Sequence, residues 1–161
     1  MTEIFRKRGI VKSFNRKAEF VDHVKACLAL AREKYSHNGF NLTEAELPIV
    51  FFNTGTTSGF VKTRRARQPL ELLIGNSSPI EFNIEFNTGI IETNWDEMVT
   101  NTIPHEMAHV VAIYLGLDKG HGAAWKNICR NLGGDSERCH DMDVSNVKRR
   151  KRRKAVYTTP T

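Results

Sequence analysis

Apolar residues recur at helical spacing in three segments of the chain, residues 16–36, 101–116 and 121–134. The apolar stripe of the first segment consists of Phe20, Val24, Cys27, Leu28 and Ala31. The stripe of the second consists of Ile103, Met107, Val110, Val111 and Leu115. The stripe of the third consists of Trp125, Ile128, Cys129 and Leu132. This periodicity predicts three amphipathic helices, and glycines at 116 and 133–134 are expected to end the last two.

Other segments have the pattern of β-strands. Residues 47–53 and 58–63 are rich in β-branched and aromatic side chains and flank the turn sequence TGTT. Residues 80–87, IEFNIEFN, alternate between apolar and polar positions. Residues 70–75, LELLIG, fit either a strand or a short helix. We therefore predict an α+β fold with an N-terminal helix, a small mainly antiparallel sheet, and two later helices packed on it.

A proline at position 104 interrupts the second helical segment. The preceding residues 93–102, TNWDEMVTNT, also predict a helix, with Thr93 or Asn94 as its N-cap. Proline lacks a backbone N–H, and its ring clashes with the preceding helical turn. We therefore expect either a kink at Pro104 or two abutting helices.

The second helix carries the sequence HEMAH, in which His105 and His109 are four residues apart. At about 3.6 residues per turn, the two imidazoles lie on one helix face and can bind a single metal ion. Glu106 lies beside them, where its carboxylate can take a proton from water. A buried helix with these polar groups needs partners for them, and a metal supplies one. The HExxH pattern therefore predicts a zinc site with Glu106 as general base.

A catalytic zinc site usually has a third protein ligand. The metzincin pattern would place glycine at 112 and histidine at 115, whereas this chain has Ala112 and Leu115. We rank His121 first, because it begins the third helix and its flanking glycines permit close backbone approach. The alternatives that stay open are Glu137, His140 and Asp141.

The net charge of +6 is concentrated in one run of the sequence. Residues 148–154, KRRKRRK, are seven consecutive cations, and the rest of the chain has 17 basic and 18 acidic residues. Because such a run cannot build a core, we predict one domain over residues 1–145 and a disordered basic tail over 146–161. We expect the run to bind nucleic acid. Its members are Lys148, Arg149, Arg150, Lys151, Arg152, Arg153 and Lys154.

Two further features concern the compartment. The sequence has no apolar run of 18 residues, and its first residues lack the apolar stretch of a secretory signal. Its cysteines, Cys27, Cys129 and Cys139, contain no C-x-x-C pair and suit a reducing compartment. We therefore expect an intracellular monomer, cytoplasmic or nucleoid-associated, without a membrane partner.

PHEMAH, residues 104–109, followed by GHGAAWKNICRNLGG, residues 120–134, resembles the SprT-like metallopeptidase family, whose members include a DNA-dependent protease. TSGFV and IEFNTG resemble the two strands before the metal helix of that family, and ERCHDMD resembles the segment that closes its catalytic domain. The resemblance implies a zincin-like domain with Zn²⁺ as cofactor. By it, the zinc ligands are His105, His109 and His121, and the catalytic residue is Glu106.

The sequence departs from the family pattern twice. Many bacterial members end in a four-cysteine zinc ribbon, which we do not expect here because no C-x-x-C pair is present. Residues 64–79, RRARQPLELLIGNSSP, form an insertion between two strands. The family resemblance implies a substrate protein bound or crosslinked to DNA, with single-stranded DNA held by the basic tail.

The expected activity is zinc-dependent peptide hydrolysis. We expect the strand 80–87 to line the cleft and to pair with an extended substrate. Tyr114 and His140 are candidates for stabilising the oxyanion. Two other functions stay open: a general intracellular zinc protease independent of DNA, and a non-catalytic nucleic-acid-binding protein with a structural zinc.

Overall fold

The computed structural model describes residues 9–65, 80–137 and 141–147. A small sheet packs against an N-terminal helix and against the first of two later helices near the candidate site, and the second of these helices packs on the first. The helices and strands are α1 (Lys17–Tyr35), β1 (Ile49–Phe52), β2 (Gly59–Arg65), β3 (Ile80–Asn87), α2 (Thr88–Thr93), α3 (Trp95–Glu97), α4 (Ile103–Tyr114) and α5 (Ala123–Asn131). Short 3₁₀ turns follow α1 and precede β1. The predicted α+β class is confirmed.

Helix α1 forms where the apolar periodicity predicted it, and its entire predicted stripe is buried. Phe20 is the centre of this packing. Its ring meets those of Phe51, Phe86 and Trp95 edge-on, with centroid distances of 5.9, 5.0 and 5.9 Å. Edge-to-face geometry is the arrangement that aromatic rings prefer. These contacts join α1 to both neighbouring strands of the sheet and to the start of the helical run that leads to the site.

The sheet is mixed rather than mainly antiparallel. Its order is β1-β3-β2, with β1 parallel and β2 antiparallel to β3. The chain between β1 and β2 does not form a hairpin, because it wraps around the end of β3. There, Asn87 Nδ2 donates to the carbonyls of Gly55 and Thr57 at 3.0 and 3.2 Å. The third strand in the sequence is therefore the central strand of the sheet.

Both faces of β3 are covered. The predicted alternation is present, with Phe82, Ile84 and Phe86 buried in the core. The polar side chains of the opposite face are buried as well, since Asn83 is 3% exposed and Glu85 is fully buried. The strand therefore has the burial typical of a central strand, which alternation alone does not predict.

The two helical segments around Pro104 abut through a π turn. Residues Met98–Thr102 form this turn between α3 and α4, and Ile103 N–H donates to the carbonyl of Met98. Pro104 then lies in the first turn of α4. There, the missing N–H removes no helical hydrogen bond. The wider π turn thus lets two helices meet at the proline.

Three sequence predictions fall outside the described ranges: the element at residues 70–75, the basic run at 148–154 and His140. The boundary between a domain ending at residue 145 and a basic tail stays a prediction. Within the described ranges, each helix is too short or too polar to span a bilayer.

Replacing Phe20 by alanine tests the predicted centre of the core. The ring is fully buried. Removing it should lower the free energy of unfolding by about 3–5 kcal/mol, through lost burial and the cavity left behind. Urea unfolding measures this loss. The matched control is Lys25→Ala on the exposed face of α1, which breaks only a 3.8 Å ion pair to Glu44 and should cost at most about 1 kcal/mol. Equal losses in both variants would contradict this account.

Candidate metal centre

Helices α4 and α5 bring three histidines to one point. His105 and His109 project from successive turns of α4. His121 does not begin the third helix as predicted, because it lies in the loop before α5, whose N-cap is Gly122. Between the helices the chain reverses at Gly116, whose φ of 69° lies in the left-handed region that glycine adopts without strain. His121 Nε2 lies 3.1 Å from His109 Nε2 and 3.1 Å from His105 Nε2.

The donor set fits a tetrahedral metal ion. Ring nitrogens bound to one tetrahedral zinc are about 3.3 Å apart when each bond is about 2.0–2.1 Å long, and the spacing here is 3.1 Å. A ring nitrogen carries either one hydrogen or one lone pair, so His121 Nε2 cannot form two well-aligned hydrogen bonds to both neighbours. A cation that accepts the lone pairs of all three rings satisfies this arrangement. The three histidines are therefore positioned to hold a metal ion.

The surroundings of His109 favour its neutral imidazole. Burial above all, together with the neighbouring His105 and His121, lowers the pKa of His109 to about 4. A neutral ring keeps the lone pair with which histidine binds a metal. His109 is therefore already in the ligand form near neutral pH.

Trp125 packs beneath the three imidazoles. Its ring centroid lies 4.6 Å from that of His105, 5.2 Å from that of His109 and 4.6 Å from that of His121. Its Nε1–H donates to the carbonyl of His105 at 3.2 Å. Apolar periodicity marked this residue only as core. Its position four residues after His121, in the first turn of the helix that follows this histidine, was the signal that could have linked it to the site.

Glu106 lies beside the histidines in a buried position. Glu106 is 5% exposed, and its Oε1 lies 3.8 Å from His105 Nε2. Burial raises the pKa of Glu106 to about 8. Strand β2 packs directly on this side chain, since a Cβ atom at Gly59 would lie 3.1 Å from Glu106 Cγ. The absence of a side chain at Gly59 thus lets the sheet edge approach the carboxylate.

A cleft of about 490 Å³ opens above the histidines. One wall is β2, at residues Gly59, Phe60 and Val61. The prediction that β3 lines the cleft and pairs with a substrate is wrong, because β3 is hydrogen-bonded to strands on both sides. Strand β2 is an edge strand, and among the described residues no strand pairs with its other edge.

The opposite wall belongs to the segment 141–147. Met142 and Val144 line the cleft there. The segment is fixed by Asn94, whose Nδ2 donates to the carbonyl of Asp143 at 2.7 Å while its Oδ1 accepts from the N–H of Asp143 at 2.9 Å. Thr93 Oγ1 donates to the same carbonyl at 3.0 Å. Asn94 and Thr93, predicted as helix caps, thus hold a wall of the cleft.

The other predicted site residues are elsewhere. Among the described residues, the group of metal-ligand side chains within 4.8 Å of one another contains His105, His109 and His121, and neither Glu137 nor Asp141. His140 and the basic run lie outside the described ranges. Tyr114 packs its ring against Phe40 and Phe82 at 5.0 and 6.3 Å, which is a structural role.

Comparison with curated proteins finds partial relatives that share one name. The chain is 34% identical over 80 residues to Protein SprT of Pseudomonas entomophila, which covers 48% of this chain and 47% of that protein. It is 34% identical over 67 residues to Protein SprT of Actinobacillus succinogenes, covering 40% and 39% respectively. The chain thus spans about half the length of the curated relatives it matches, or less. No solved structure matches it.

Comparison with protein families gives a longer match. The model of the SprT-like family matches residues 24–147, from within α1 to the cleft wall after α5. This range includes the three histidines, Glu106 and both walls of the cleft. The chain therefore belongs to the SprT-like family.

Proposed function

We propose that this chain is a zinc-dependent endopeptidase that acts on proteins bound or crosslinked to DNA. The observation that carries the proposal is the combination of three convergent histidines and a buried glutamate at the floor of an open cleft. Strand β2, an edge strand of the sheet as far as the described residues show, borders the same cleft. These parts together are what metal-assisted hydrolysis of an extended chain requires.

The donor set and the open cleft favour catalytic zinc. Imidazole nitrogen suits zinc among the common divalent metals. Structural zinc sites are usually closed by four protein ligands, whereas catalytic sites use three and leave one position open. Among the described residues three histidines converge, and all three line the cleft. A structural zinc in a non-catalytic protein is less consistent with this arrangement.

Strand β2 is the proposed platform for the substrate. In the described part of the chain β2 pairs with a strand on one side only, and an extended peptide could form main-chain hydrogen bonds along its other side. Gly59 sits at the point where this strand contacts Glu106. A peptide added to β2 therefore runs past the glutamate and the histidines. Main-chain pairing also recognises a peptide with little regard to its sequence.

In the proposed mechanism His105, His109 and His121 hold the zinc, and Glu106 moves the proton. When bound, zinc supplies a Lewis acid that polarises the scissile carbonyl and acidifies water. The charge of a bound cation nearby would lower the pKa of Glu106 that burial raises, so that Glu106 can accept the proton of the attacking water on a carboxylate oxygen and then donate it to the leaving amine. The burial of Glu106 keeps its carboxyl away from bulk water, which strengthens its electrostatic interactions within the cleft.

The DNA part of the proposal rests on charge and on the family resemblance. The seven cations of residues 148–154 account for the whole excess of positive charge, since the rest of the chain has 17 basic and 18 acidic residues. Lysine and arginine contacts to phosphates bind nucleic acid without reading its sequence. Such binding would bring the cleft to proteins on DNA.

The third ligand is tested by metal content. His121→Ala should lose most of the bound zinc, because two imidazoles alone leave the site incomplete. His140→Ala, the rival ligand, should keep it. The matched control is His23→Ala, an exposed histidine on α1. Elemental analysis of the purified proteins measures the zinc. Equal zinc in His121→Ala and in wild type would remove His121 from the site.

The role of Glu106 is tested by Glu106→Gln, which keeps the shape of the side chain and removes the base. The variant should retain zinc and lose turnover by about 10²–10⁴-fold, the usual contribution of proton transfer. Cleavage of an unstructured protein, with and without single-stranded DNA, measures this. The matched control is Glu137→Gln. Cleavage by Glu106→Gln at the wild-type rate would refute the hydrolase proposal. Cleavage by wild type that ignores added DNA would instead support a general protease.

The basic run is tested by salt titration of single-stranded DNA affinity. Deleting residues 148–161 should leave the zinc content unchanged and weaken binding at low salt. At about −0.7 per phosphate contact, the slope of log affinity against log salt should become shallower by about 2–4. Deleting only residues 155–161 keeps all seven cations and should keep the slope. If the two deletions give the same slope as wild type, the run does not contact DNA.

A further inference from the structure

The loop between α4 and α5 is organised around the carboxylate of Asp118. Oδ1 of Asp118 accepts from the backbone N–H of Gly120 at 2.9 Å. The nearby backbone N–H groups of Gly120, above all, and then of Gly122 and Trp125 hold the pKa of the Asp118 carboxyl below its usual range. The carboxylate thus accepts a hydrogen bond from the residue before His121 and packs closely against the residue after it.

Gly122 makes this arrangement possible. A Cβ atom built on residue 122 would overlap Asp118 Oδ2. The backbone at Gly122 is otherwise ordinary, with φ of −73° and ψ of −172°, which any residue adopts. A side chain at this position would clash with the Asp118 carboxylate, although the backbone angles would permit one. The contact with Asp118 therefore explains why the residue after His121 is a glycine.

We infer that Asp118 is a positioning residue for the metal centre, which acts by fixing the loop that presents His121. This inference rests on the proposed zinc site. The two residues that flank His121 both contact this one carboxylate, Gly120 through a hydrogen bond and Gly122 through close packing. Without it, the loop must be ordered when the metal binds, and that ordering costs conformational entropy.

The Asp118 carboxylate also interacts electrostatically with the ligand His109. A negative charge near the ligands also attracts a divalent cation. Groups that orient or polarise metal ligands typically change metal affinity by about 10–100-fold when they are removed.

The experiment measures zinc affinity by competition with a chromophoric chelator, and therefore needs no substrate. Asp118→Ala should bind zinc about 10–100-fold more weakly than wild type. Gly122→Ala should have a similar effect, because its methyl group displaces the carboxylate. The double variant should be no weaker than Asp118→Ala alone, since both changes remove the same interaction. The absorption spectrum of bound cobalt(II) should change in the same three variants.

Gly120→Ala is the matched control. It keeps the N–H that Asp118 binds, and its new Cβ would lie 3.8 Å from Asp118 Oδ1, an ordinary contact. Its zinc affinity should stay close to that of wild type. Thermal unfolding of the metal-free proteins separates positioning from stability. Loss of metal-free stability with unchanged zinc affinity in Asp118→Ala would give Asp118 a merely structural role and overturn the inference.

Two other outcomes would also overturn it: wild-type zinc affinity in Gly122→Ala, or effects of the two single changes that multiply in the double variant. Failure of the proposed function looks different. In that case wild type itself would bind zinc only weakly, or would bind it and cleave no protein. The comparison of wild type with the variants therefore distinguishes failure of the inference about Asp118 from failure of the proposed function.

Discussion

The central constraint on this protein is the approach of His105 Nε2 and His109 Nε2 to within 3.1 Å of His121 Nε2. Neutral histidines whose lone pairs point at one another repel, so the backbone must hold the three rings together until a cation accepts those lone pairs. His105 and His109 come from one helix, and the helix itself fixes their spacing. His121 comes from the loop between Gly116 and Gly122, and its position depends on that loop and on the packing of Trp125.

A second close contact links the sheet to the same centre. Strand β2 approaches Glu106 closely because residue 59 lacks a side chain. This one contact fixes the distance between the edge of the sheet and the buried carboxylate. A peptide bound to β2 would therefore lie at a constant distance from the proposed general base. The segment 141–147 closes the other side, held by Asn94 through a pair of hydrogen bonds like those of a sheet. The cleft is thus built by elements far apart in the sequence.

Local features of the sequence predicted much of this arrangement. Apolar periodicity gave α1, α4 and α5, since a helix face is set by residues three and four apart. The order of the sheet was not predictable in this way, because the insertion of β3 between β1 and β2 depends on contacts such as Asn87 to Gly55, 32 residues away. Trp125 shows the same limit: its periodicity marks it as core, and only the folded chain puts three imidazoles around it.

The position of the basic run has a geometric consequence for the proposed function. Val147 packs against the core at the end of the cleft wall, and the seven cations follow immediately in the sequence. Seven residues extend at most about 25 Å, so a nucleic acid bound to any of them lies within about that distance of Val147. In the proposed function, tethering over so short a span would give a high effective concentration of neighbouring protein at the cleft. Separate parts of the chain would then bind phosphates and hydrolyse peptides, and proximity would couple the two.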